Sequence, residues 1–150
     1  MRKFIQNKLK EQKGLTLIEL LAVIVILAIV AAIAIPAIGN IIENSRNGAV
    51  KSDYQNALAA ANVYFTENPK GETPANATAT VKVGTLLSQS YLDDKGSLSS
   101  DVVITKVAGG NTISGATEDT KYEIKAATPQ TNAELSKIKN ADFKGTDIKK

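Results

Sequence analysis

The hydrophobic pattern divides the chain at about residue 40. From Leu20 to Ile38 there is no charged and no strongly polar residue. As a helix that run is about 28 Å long, close to the hydrocarbon thickness of a bilayer. It is apolar on every side, as expected of a helix surrounded by lipid or protein. Beyond Ile41 the pattern becomes one-sided. Val50, Tyr54, Ala57, Ala61 and Tyr64 recur at spacings of 4, 3, 4 and 3, with Leu58 and Phe65 beside them. This spacing predicts an amphipathic helix with one face on a core. Glu43, Arg46, Lys51, Asp53, Gln55, Asn56 and Asn62 fall mostly off the stripe. A single helix from Leu15 to about Glu67 accounts for both halves, and Asn68-Pro69-Lys70-Gly71 stops it.

The remainder predicts a small mixed body. Residues 68–80 read as a surface loop. Val83 to Leu92 predicts a short helix with Leu86, Leu87, Tyr91 and Leu92 facing inward, followed by a turn at Asp93-Asp94-Lys95-Gly96. Asp101 to Ala108 and Thr120 to Ala126 predict antiparallel strands, the second with Tyr122 and Ile124 on one face. Gly109-Gly110-Asn111 lies between them as a turn. Pro129 ends the second strand, and Thr131 to Asn140 predicts a short helix with Leu135 and Ile138 on its apolar side. Phe143 and Ile148 are the anchors of a polar tail. A sheet this small must lay its apolar face on another layer, and the amphipathic half-helix is the large candidate. The expected fold is α+β, a long N-terminal helix packed on a small antiparallel sheet.

Composition narrows the function. The 150 residues contain no Cys and no His. That removes the disulfide framework, the thiol nucleophile, the commonest general base and the best metal ligands. No catalytic, cofactor or metal site is expected, and the chain does not read as an enzyme. Ser136-Lys137 lie side by side, but no nucleophile motif surrounds them, and no helix follows Gly109-Gly110 as a phosphate loop requires. The net charge of +3 is set by the first fourteen residues, five basic against one acidic; the remainder holds 13 basic and 14 acidic residues. The body therefore gives no electrostatic reason to expect nucleic acid as a partner.

The junction before the apolar run carries the most specific signal. Met1 to Gly14 is basic, and Lys or Arg ahead of an apolar span holds that end in the cytoplasm. Ala32-Ile33-Ala34, the nearest match to an ordinary signal-cleavage site, lies inside the run. Asn76-Ala77-Thr78 matches a glycosylation sequon, a pattern that is frequent by chance. Glu19 stands alone at the edge of the apolar run, where a carboxylate needs a partner charge. Pro36 and Gly39 mark a weak point near the end of the run, and Gly48 a second.

The stretch Lys13-Gly14-Leu15-Thr16-Leu17-Ile18-Glu19-Leu20-Leu21, followed by an apolar run and Pro36, resembles the type IV pilins and their pseudopilin relatives. The resemblance covers about residues 10–40. It implies a prepilin whose leader, residues 1–14, ends at Gly14 and is cut before Leu15, which is then N-methylated. Counted from Leu15, Glu19 is fifth and Pro36 twenty-second, where the family places its glutamate and proline. Leu15 stands where the family most often has Phe. The absent Cys pair is similar to pilins of Gram-positive bacteria. The implied organisation is a leader (1–14), a transmembrane and assembly half-helix (15–39) and a globular head (40–150) that includes the half-helix 40–67. The implied partners are copies of the chain in a helical filament, a prepilin peptidase and methyltransferase, an assembly platform with its ATPase, and lipid before assembly. The implied function is the major subunit of a type IV pilus. The alternative is a pseudopilin or minor pilin of a type II secretion or competence DNA-uptake machine. The precursor would be single-pass with a cytoplasmic N-terminus, and the mature form extracellular.

Overall fold

The computed structural model describes residues 17–72 and 78–145, together with the helical backbone of residues 2–16. The first element, α1, runs Arg2–Glu67. It begins earlier than expected: residues 2–14 are rich in Lys, Arg and Gln, which favour helix, and Gly14 is the residue that opposes it most, by about 1 kcal/mol. The remaining elements are β1 (Thr80–Lys82), α2 (Val83–Ser88), β2 (Val103–Thr105), β3 (Thr112–Ala116), β4 (Glu123–Ile124), β5 (Gln130–Thr131) and α3 (Asn132–Lys137). The chain forms two compact units, Met1–Ile42 and Glu43–Lys150. The first is helix throughout its described residues; the second holds the rest of α1 and all the strands. The arrangement is α+β, a long N-terminal helix followed by a small antiparallel sheet, like that of type IV pilins.

The second unit is built around β3. It pairs antiparallel with β2 along one edge. Along its other edge it pairs with β5 at Thr112 and Ile113 and with β4 at Gly115 and Ala116. β1 extends the sheet beyond β2, with Val81 opposite Ile104, which in turn lies opposite Ile113. Side chains alternate between faces along each strand, so this row points one way. All three are fully buried against the stripe of α1. Val50, Tyr54, Ala57, Leu58, Ala61, Tyr64 and Phe65 are buried as the spacing predicted, and Leu135, Ile138, Tyr122, Ile124 and Phe143 complete the core. Phe143 meets Tyr54 edge-on at 6.0 Å and stacks on Tyr122 at 6.2 Å.

Several elements differ from expectation. The strand expected over 101–108 contracts to β2, and that over 120–126 to β4. β1, β3 and β5 come from stretches without a strand signal. α2 ends at Ser88, and Leu87 is 37% exposed while Leu86 is fully buried. Tyr91 and Leu92 pack partly buried against the core from the turn that follows. α3 spans six residues, closed at its start by a capping box between Thr131 and Glu134. That box satisfies otherwise orphaned backbone donors.

Two close approaches explain two glycines. A Cβ on Gly48 would lie 2.6 Å from Asn140 Nδ2, so Gly48 lets the C-terminal segment sit against α1. Gly115 has φ +131°, and a Cβ there would lie 2.8 Å from Val102 Cα. The same segment is held by polar contacts. Asn47 Nδ2 donates to Asn140 O at 2.8 Å, and Lys51 Nζ donates to Ile138 O at 3.0 Å. Asn47 Oδ1 accepts from the Tyr122 hydroxyl at 2.7 Å, which leaves this buried amide partnered at both ends.

Candidate assembly site on the N-terminal helix

The residues singled out before the apolar run sit on one unbroken helix. Gly14 and Leu15 belong to its backbone, and the Leu15 side chain lies outside the described residues. Leu15 and Glu19 are four residues apart, which places them one turn from each other on the same face, about 6 Å along the axis. Glu19 is exposed and forms no ion pair among the described residues. Every large apolar side chain from Leu17 to Ile42 is 49–70% exposed. Burying a Leu, Ile or Val side chain contributes about 1.5–3 kcal/mol, so a helix this bare in water is strongly driven into lipid or against other chains. Among the described residues, Leu17–Glu67 is a helix long and apolar enough to cross a membrane.

Pro36 lies inside α1, and the helix continues through it and through Gly39. The proline ring removes a donor to the carbonyl of Ala32, so one rung of the ladder is missing within an otherwise continuous helix. Nothing lies within 4 Å of a Cβ built on Gly39. The space there is open, and the glycine is not required by packing within the chain.

The other candidates fall elsewhere. Ser136 Oγ donates to Asn132 O at 2.8 Å and accepts from Gln55 Nε2 at 3.0 Å, which employs it structurally on the surface. Gly109 and Gly110 form the turn between β2 and β3. Asn76 and Ala77 of the sequon, and Ile148, lie outside the described residues. Asn47 was missed by the sequence reading although a signal existed: it continues the stripe one step back, three residues before Val50.

Comparison with known proteins bears on this same helix. Residues 9–35 match the family model of the prokaryotic N-terminal methylation motif, the class III signal of type IV pilins. The match includes Gly14, Leu15 and Glu19 and stops one residue before Pro36. No curated protein matches the chain. No solved structure matches it either. The chain thus carries a methylation-motif N-terminus on a long apolar helix, and is similar in this to type IV pilin-like prepilins and pseudopilins.

Proposed function

We propose that this chain is the structural subunit of a type IV pilus, a major pilin. The observation that carries the reading is the bare apolar helix that follows Lys13-Gly14, with Glu19 as the lone charge at its edge. The precursor spans the membrane once, its basic leader in the cytoplasm. A prepilin peptidase cuts between Gly14 and Leu15, and the new amine of Leu15 is methylated. The helix then leaves lipid for a bundle of identical helices, drawn out by the assembly platform and its ATPase. Glu19 fixes the register by pairing with the Leu15 amine of a neighbour. A cysteine-free head of this size with a Thr- and Ala-rich loop favours the abundant subunit over a pseudopilin or minor pilin.

Electron microscopy of sheared surface filaments, with intact-mass analysis of their subunit, tests this. The expected result is abundant filaments made of a chain that begins at a methylated Leu15. A filament subunit that still carries Met1–Gly14, or that begins near Ile35, contradicts it. A correctly cut chain confined to the envelope and absent from filaments supports the pseudopilin alternative instead.

A further inference from the structure

Within the second unit, α1 has two unlike flanks. On one flank Lys51 holds Ile138 O, and Gln55 Nε2 donates to Asn132 Oδ1 at 2.9 Å. On the same side Asn111 Nδ2 donates to Asn62 Oδ1 at 2.7 Å. On the other flank Asp53 Oδ2 accepts from Ser97 N at 2.9 Å and from Ser97 Oγ at 2.7 Å, and Glu67 accepts from the Tyr91 hydroxyl. At 100° per residue these two sets lie well apart around the helix axis. The exposed strip between them is Ala49, Ser52, Asn56, Ala59, Val63 and Thr66. None of the six is charged, in a chain that is 22% charged. A face that stays in water ordinarily carries Lys and Glu, whereas the centre of a contact is depleted of them.

The flanks also differ in sign. Beside the second flank an open groove of about 500 Å³ runs between Ala59, Ala60 and Val63 on α1 and Tyr91 and Leu92 opposite. Asp93 and Asp94 rim it, both exposed. Asp94 accepts from Gly96 N at 3.0 Å; Asp93 has no hydrogen bond or ion pair among the described residues. Beside the first flank the C-terminal segment exposes Lys137, Lys139 and Lys144, with Asp142 the one exposed acid among them. None of the three lysines forms an ion pair among the described residues. The lysines and the aspartates of one head thus lie beside different flanks of α1.

We propose that the groove rimmed by Asp93 and Asp94 receives the Lys137–Lys139 segment of a second copy of this chain. The inference rests on the filament reading above and names the head-to-head contact that the filament would use. Such a contact joins unlike surfaces, so it can repeat from copy to copy, and it builds an open filament where the rotation between copies does not close a ring. Exposed ion pairs are individually weak and fade with salt, so the effect falls on assembly and its salt dependence, not on folding of the head.

The chain contains no Cys, which makes the test direct. Asp93→Cys and Lys139→Cys are placed together in the full-length chain, and sheared filaments are oxidised and run without reductant. The double variant is expected to give a ladder of dimers, trimers and higher species, and each single variant none. Dimers from one single variant alone would mean a symmetric contact and overturn the proposal, as would filaments of the double variant without a ladder. If the double variant makes no filaments, charge reversal decides. Asp93→Lys with Asp94→Lys should lower filament yield, and adding Lys137→Glu with Lys139→Glu should restore it. Unchanged yield after the first pair, or no recovery with the second, overturns the contact. Absence of filaments from the unmodified chain would overturn the filament reading itself, and this contact with it.

Discussion

Tyr54 is a core side chain of the head held by both packing and a hydrogen bond. It is fully buried, its hydroxyl donates to Gly115 O at 2.9 Å, and its ring meets Phe143. Burial pushes its ionisation well above the ordinary tyrosine value, and the negative charges of Glu123, Asp119 and Asp53 push it further. The folded chain therefore keeps this proton at a pH where the unfolded chain, with a value near 10, has lost it. The stability this contributes is complete below about pH 10 and is lost as pH rises beyond it. Thermal melts followed by circular dichroism should show the melting temperature of the head falling through that alkaline range. Tyr54→Phe should cost about 1–3 kcal/mol at neutral pH, because Gly115 O loses its donor, and should flatten the alkaline fall. An equally steep fall in Tyr54→Phe would assign the effect to other groups. Asn47 offers a second test. Asn47→Ala deprives the buried Tyr122 hydroxyl of its acceptor and Asn140 O of its donor, at a cost of about 1–3 kcal/mol for each group left unpaired. Hydrogen exchange should then quicken across residues 138–143, held against α1 by this amide and Lys51, before it quickens in the sheet.

Among the elements, the amphipathic half of α1 was legible because its 4-3-4-3 stripe repeats over several turns and leaves no ambiguity of face. The strands were not. β1, with Thr80, Val81 and Lys82, holds one apolar residue, too few to display alternation. β3 has Gly115 inside it, and an interior glycine reads as a loop until the approach of Val102 is known. Leu86 and Leu87 are adjacent, and a six-residue helix turns one of them outward without a period long enough to say which. At the N-terminus the spacing of Gly14, Glu19 and Pro36 was fully visible, because a processing signal is read as an extended string. The flanks of the head were invisible, because the placement of Asp93 and Lys139 beside different flanks of α1 appears only in the fold. The missing rung at Pro36 belongs to this scale. We expect α1 to bend or unwind near Pro36 and Gly39 when subunits pack, where a proline already costs about 3 kcal/mol. Pro36→Ala should restore the rung, stiffen the helix and reduce filament extension under load. Hydrogen exchange of residues 30–40 in filaments is the measurement, and protection there equal to that of residues 20–30 in the unmodified chain would remove the basis for a bend.

At the scale of the whole molecule, the proposed cut after Gly14 would give the same helix two fates. Before it, on the proposed reading, Glu19 would lie near the membrane edge without a Leu15 amine to pair with, at a cost of roughly 2.5–3.5 kcal/mol if carried to the depth of a helix centre. After it, Leu15 would bear a positive amine one turn away, and every neighbouring copy in a filament would bear another. Pairing with its own amine would satisfy Glu19 without ordering the filament. Pairing with a neighbour's amine satisfies it and sets the axial offset between subunits. Snorkelling to the headgroups would satisfy it in the membrane and contribute nothing afterwards. Glu19→Gln keeps the shape and removes the charge, and so separates these accounts. Expression, membrane insertion and cutting after Gly14 should be normal, because none of them uses the carboxylate. Filaments should be lost when the variant is the sole subunit, since apolar helices alone can slide past one another without a fixed register. Gly14→Val gives the complementary defect, in which uncut precursor stays in the membrane with Glu19 intact. If Glu19→Gln yields filaments at the normal level while Gly14→Val yields none, cutting matters for releasing the helix and the charge pair is not the register device. If Glu19→Gln abolishes filaments although its leader is removed normally by intact mass, the carboxylate itself is needed for assembly, as pairing with the amine created at Leu15 requires.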